Sequence, residues 1–190
     1  MTSEPYPRQL NVTATIRNAM NFNPQLDLRF IRTVPVARAE IWRAWTEPEQ
    51  LKPWFCPRPW TTIDCEIDLR PGGVFHTTMQ SPEGKRFPNR GCYLAVEANR
   101  RLVWTNALSA GFRPCLLTET CGSDEVSFMF TATIELADHP EGTLYTATVQ
   151  HADDKGCQTH AAMGFEQGWG IALDQMVAMI QSQPSVAGEG

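Results

Sequence analysis

Apolar side chains recur every three or four residues from about 158 to 181, at Ala162, Phe165, Trp169, Leu173, Met176 and Ile180. That spacing puts one stripe on one face of a long helix. Gly164, Gly168 and Gly170 interrupt it, and a glycine inside a helix costs about 1 kcal/mol relative to alanine. Either they let the helix close tightly on a sheet, or they leave room beneath it for something that is not protein. Upstream the period is two. LDLRFIRTV (26–34) reads as a strand that stops at Pro35. A helical rhythm follows through Ala39, Ile41, Trp42, Ala44 and Trp45, and Thr46 and Pro48 cap and open a second short helix. Leu51 and Trp54 point inward from it, and the prolines of CPRPW require a loop.

From residue 61 the chain alternates again. WTTIDCEIDL turns at Arg70-Pro71-Gly72-Gly73 into GVFHTTM, which presents Phe75, Thr77 and Met79 on one face and Val74, His76 and Thr78 on the other. FPNRGCYLAVEA and RRLVWTNAL are two more strands, joined at Asn99-Arg100; residues 109–125 read as a long loop. VSFMFTATIEL places Phe128, Phe130, Ala132 and Ile134 on one face, and LYTATVQH is the last strand before the helix. Hairpin-length connections demand antiparallel neighbours. The expected architecture is therefore α+β: about seven strands in a curved antiparallel sheet wrapped round one long C-terminal helix, with two short helices after the first strand. This domain is expected over 26–182. Residues 1–25 form an extension, in which 9–17 alternates like an additional strand that would extend a sheet edge or pair two chains as a homodimer; 183–190 is a tail.

Composition narrows the partners. A net charge of −5 over 190 residues, without a basic run, offers no phosphate footprint and argues against nucleic acid. No apolar run approaches the ~18 residues of a membrane span, and the N-terminus lacks a signal-peptide pattern, so a cytoplasmic protein is expected. The six cysteines include no CxxC pair, so no metal site and no cofactor is expected, and reduced thiols are the default.

Four stretches, IWRAWTEPEQLKPWFCP, RPGGVFHTTM, ANRRLVWTN and GFEQGWGIALDQM, resemble the family named for the activator of Hsp90 ATPase homologue 1, within the START-like (SRPBCC) helix-grip superfamily. The resemblance runs from about Asp27 to Ile180. It implies a helix-grip fold whose stand-alone members are mostly taken to bind hydrophobic small molecules; the additional Hsp90-binding domain of the co-chaperone members is not expected here.

The expected ligand-binding residues are Phe75, Met79, Trp104, Phe128, Phe130, Tyr145, His151, Phe165 and Trp169, each of which also reads as plain core. Arg70 reads as a turn residue, and Trp42 and Trp45 as packing at the sheet edge. His151, Cys157 and His160 are expected to converge at one end of the grip, where the histidines either bind a polar group of a ligand or act as acid and base. His76 falls on the outward face, and Asp64 and Glu66 share a strand face without an evident partner. No GxSxG, HExxH, P-loop or GxGxxG is present. A binding protein for a hydrophobic or aromatic small molecule is the leading reading. A cyclase- or hydrolase-like enzyme using the same cavity is the alternative, and a chaperone-regulating interaction module the third.

Overall fold

The structure is a computed structural model that describes residues 22–115 and 128–183. The expected extra strand at 9–17, Cys121 and the tail beyond 183 lie outside them. Strand β1 (Asp27–Val34) leads into helices α1 (Arg38–Thr46) and α2 (Pro48–Leu51). Strands β2 (Thr61–Ile67), β3 (Val74–Gln80), β4 (Arg86–Glu97) and β5 (Arg101–Thr105) follow as a meander. A two-residue hairpin, β6 (Leu108–Ser109) and β7 (Arg113–Pro114), precedes the long strands β8 (Phe130–His139) and β9 (Gly142–His151). The chain then enters α3 (Asp154–Ala162) and α4 (Phe165–Ser182).

Seven strands form one antiparallel sheet in the order β1-β9-β8-β5-β4-β3-β2. Register shifts at Thr62/Asp64 in β2 and Tyr93/Ala95 in β4 are bulges, which bend a strand and increase its twist. Curvature follows from them, and α4 lies in the resulting trough against α1 and β1. Ile41, Leu51, Leu102, Ile134, Leu173 and Met176 are fully buried there, each contributing about 1.5–3 kcal/mol. Gln175 fastens α4 to the loop after α2: its Nε2 donates to the carbonyls of Trp54 (3.1 Å) and Cys56 (2.9 Å), and its Oε1 accepts the N–H of Arg58 (3.0 Å).

Three expectations change. The C-terminal helix is two helices: α3 starts four residues earlier than the apolar rhythm suggested, because the Asp153 carboxylate accepts the Gly156 N–H at 2.7 Å and caps it. The break falls at Met163-Gly164, where Gly164 takes φ 85°, a left-handed value that favours glycine. Ala162 therefore leaves the stripe and is exposed, and Gly164 stands before α4 rather than inside it. Finally, the segment read as a loop from 109 begins as the β6–β7 hairpin, with Gly111 and Phe112 at positive φ in its turn; residues 116–127 are not described.

Candidate functional site: an aromatic cavity beneath α4

Between the concave sheet and the helices lies a cavity of about 580 Å³. Alternation along the strands decides which side chains reach it. Phe75, Thr77 and Met79 of β3 line it, as do Gly91 of β4, Trp104 of β5 and Phe130 of β8, with Phe128 just ahead of that strand. Tyr145 and Val149 of β9 continue the wall. Small residues sit beside large ones: a Cβ at Gly91 would lie 2.8 Å from the Thr105 carbonyl oxygen and 3.5 Å from the Trp104 ring. Phe165, Gly168, Trp169 and Leu173 of α4 close the top. Met163 also lines the space while 64% exposed, so it stands at the rim.

Eight of the nine residues proposed from sequence as ligand contacts thus reach one space: Phe75, Met79, Trp104, Phe128, Phe130, Tyr145, Phe165 and Trp169. His151 does not. It is buried behind the wall, and His160 stands between it and the cavity. Cys157 is also off the wall, in a separate crevice with Leu28 and Asp154. Of the three groups expected to converge, two histidines meet and the thiol does not.

Sequence reasoning missed the contribution of the two short helices. Trp45, Trp54, Phe55 and Trp60 all line the cavity, and Trp45 meets Trp54 at 4.9 Å and Trp104 at 5.4 Å between ring centroids. Trp45 is thus cavity wall, not sheet-edge packing, because α1 packs against α4 and β8. The density of aromatics between 42 and 60 was the available signal. Trp42 is half-buried against the core, and Arg70 is an exposed turn residue paired with Asp68.

The wall's polar atoms are mostly engaged. Asn106 is engaged at both ends, donating to the Phe128 carbonyl (2.9 Å) and accepting the Phe130 N–H (2.8 Å). The Trp169 indole donates to the Tyr145 hydroxyl at 3.1 Å. Burial raises the Tyr145 pKa, opposed by indole donors at Trp169 and Trp45, although the Trp45 N–H makes no well-formed hydrogen bond to the hydroxyl.

The Trp45 indole N–H and the His160 ring are the exceptions. The His160 ring packs among Phe128 (4.9 Å), Phe165 (5.2 Å) and Phe130 (6.1 Å), and its Nδ1 lies 3.0 Å from His151 Nε2. Burial first, and then His151, hold its pKa down at about 4, so the ring is neutral at pH 7. On the opposite face of β3, His76 bonds through Nδ1 to the Asn89 carbonyl (2.9 Å) and approaches Asp64 at 3.4 Å. Asp64 therefore has a partner, away from the cavity; Glu66 is exposed. Among the described residues no cluster of three or more His, Cys, Asp or Glu side chains is arranged to hold a metal ion.

The model of the family described as activator of Hsp90 ATPase homolog 1-like protein matches residues 35–181. The chain belongs to this family. A crystal structure of a Nitrosomonas europaea protein is 42% identical, covering 84% of this chain and 97% of its own, with a TM-score of 0.77. A Rhodobacter sphaeroides protein at 20% identity (86% and 98% covered, TM-score 0.72) and an Arthrobacter aurescens protein at 22% (87% and 91%, TM-score 0.68) share the fold alone. No curated protein matches the chain. In this Hsp90-activator-homologue-like chain, the family match spans every cavity-lining element.

Proposed function

We propose that the protein binds a hydrophobic, aromatic small molecule in the cavity between the sheet and α4. The carrying observation is the cavity itself: about 580 Å³ of space walled by eleven Trp, Phe and Tyr side chains, with the His160 imidazole beside them. That size and lining suit an organic ligand of drug-like dimensions. An interaction module acting on a chaperone would instead call for a filled core.

The enzyme reading has one observation in its favour, the two histidines in hydrogen-bond reach with one pKa displaced. The displacement is in the wrong direction for a general base, which works best with a pKa near the working pH. A ring titrating at about 4 accepts a hydrogen bond at neutral pH far more readily than it removes a proton. Binding is therefore the better-supported reading. The unpaired thiols of Cys56, Cys65, Cys92, Cys115 and Cys157 suit a reducing compartment, the cytoplasm, and no helix among the described residues is long and apolar enough to cross a membrane.

A thermal-shift screen with aromatic, polyketide-like and lipid compounds tests the reading. A ligand held only by the folded state at a hundredfold excess over Kd adds about 2.7 kcal/mol, a clear rise in midpoint. If saturating compounds of all three classes leave the midpoint unchanged, the cavity is not a ligand site.

A further inference from the structure

The two histidines carry more information than their proximity. The Leu26 carbonyl oxygen accepts both the backbone N–H of His151 (2.9 Å) and its ring Nδ1 (3.0 Å). A carbonyl cannot donate, so Nδ1 of His151 carries the proton. In a neutral ring, Nε2 is then an acceptor. It faces His160 Nδ1 at 3.0 Å, so that nitrogen must be the donor and carry the proton of His160. The chain of bonds runs one way, from His160 through His151 to Leu26. It leaves Nε2 of a neutral His160 with a bare lone pair, and no partner for it exists among the described residues. His160 lines the cavity.

Three aromatic rings, Phe128, Phe130 and Phe165, pack against that ring. Nε2 is not a sealed atom, since His160 is only partly buried, so a donor entering the cavity can reach it and replace water there. The β1–β9 pairing holds the relay in one tautomer, since Asp27 pairs with Gln150 and His151 is anchored immediately beside them.

We infer that the cavity selects an aromatic ligand bearing a hydrogen-bond donor, a phenol-type hydroxyl in its simplest form, received on Nε2 of His160. This rests on the ligand-binding reading above and adds the chemistry of the ligand's polar end. His160 is the specificity residue, and His151 is a positioning residue that fixes its tautomer. A ligand whose oxygen only accepts, such as a methyl ether, gains nothing at this position.

The test uses 2-naphthol and 2-methoxynaphthalene as probes, with affinities read from quenching of tryptophan fluorescence. The wild-type chain should prefer the naphthol by about five- to tenfold relative to the preference shown by His160→Phe, as expected for one hydrogen bond of about 1 kcal/mol. The variant should still bind the ether. If its preference equals that of the wild type, the inference is overturned while ligand binding stands. If neither probe binds the wild-type chain, the inference is overturned, and the thermal-shift screen over all three compound classes shows whether the ligand-binding reading falls with it. A second measurement does not depend on the variant folding: nitrogen NMR of the histidine rings in the wild-type chain. His160 should carry its proton on Nδ1, and its unprotonated Nε2 signal should move with naphthol and stay in place with the ether. A proton found on Nε2, or equal movement with both probes, overturns the assignment.

Discussion

The two ends of α4 share one apolar rhythm but meet different surroundings. Met176 and Ile180 are buried among Ile41, Leu51 and other core side chains. Phe165, Trp169 and Leu173, in the preceding turns, border open space, and Trp169 is only partly buried. In the first case the stripe fills a core; in the second it roofs a cavity. A helical period reports which face turns inward, and nothing about whether the inside is full.

Mutations sharpen the contrast most at its extremes. Met176→Ala should destabilise the fold by about 3–4 kcal/mol, because it opens a void in a close-packed region, and should change probe affinity less than twofold. Trp169→Ala removes a larger side chain yet should cost only about 2 kcal/mol, below the usual 3–5 for a fully buried aromatic, since part of the ring faces the cavity. Its effect should fall on affinity, lowered tenfold or more. Urea unfolding and fluorescence titration of both variants check this. Equal stability losses with equal affinity losses would erase the distinction between the two ends.

That distinction also marks how far the sequence was legible. Strand order, the inward faces of β3 and β8, and the grip of sheet on helix follow from periods of two and 3.6, and eight cavity residues follow with them. What the period does not encode was missed. Trp45 reaches the cavity because α1 packs against α4 and β8, a tertiary fact; its helical spacing reads the same for sheet-edge packing. His151 alternates inward as expected, but α3 sets His160 in front of it. The break at Gly164 was visible as a glycine, and its role depends on a positive φ that composition alone does not declare.

The cavity end should also respond to acid where the filled end does not. His160 titrates at about 4 when folded, against 6.5 as its ordinary value. The unfolded chain therefore binds the extra proton first, and stability falls as pH drops from about 6.5 toward 4. By pH 4.5 the loss from this ring should approach 2 kcal/mol. The informative quantity is wild type minus His160→Phe, in which the acid response of the rest of the chain cancels. A difference that stays flat between pH 7 and 4.5 would mean that His160 is as well solvated as a free imidazole.

The smallest effects separate two glycines one turn apart. Gly164 takes φ 85°, and a Cβ there would meet nothing within 4 Å, so Gly164→Ala is opposed by backbone conformation alone and should cost about 1 kcal/mol. Gly168 lies inside α4 with ordinary helical geometry, and its added Cβ would meet only Pro57 Cγ at 3.9 Å. Gly168→Ala should therefore stabilise the helix by nearly 1 kcal/mol, while its methyl group intrudes on the cavity and weakens naphthol binding a few-fold. Thermal midpoints moving in opposite directions for the two variants would separate a hinge glycine from a space-making one. If both fell together, Gly168 would be packed against protein, and the roof over the cavity would be tighter than its geometry indicates.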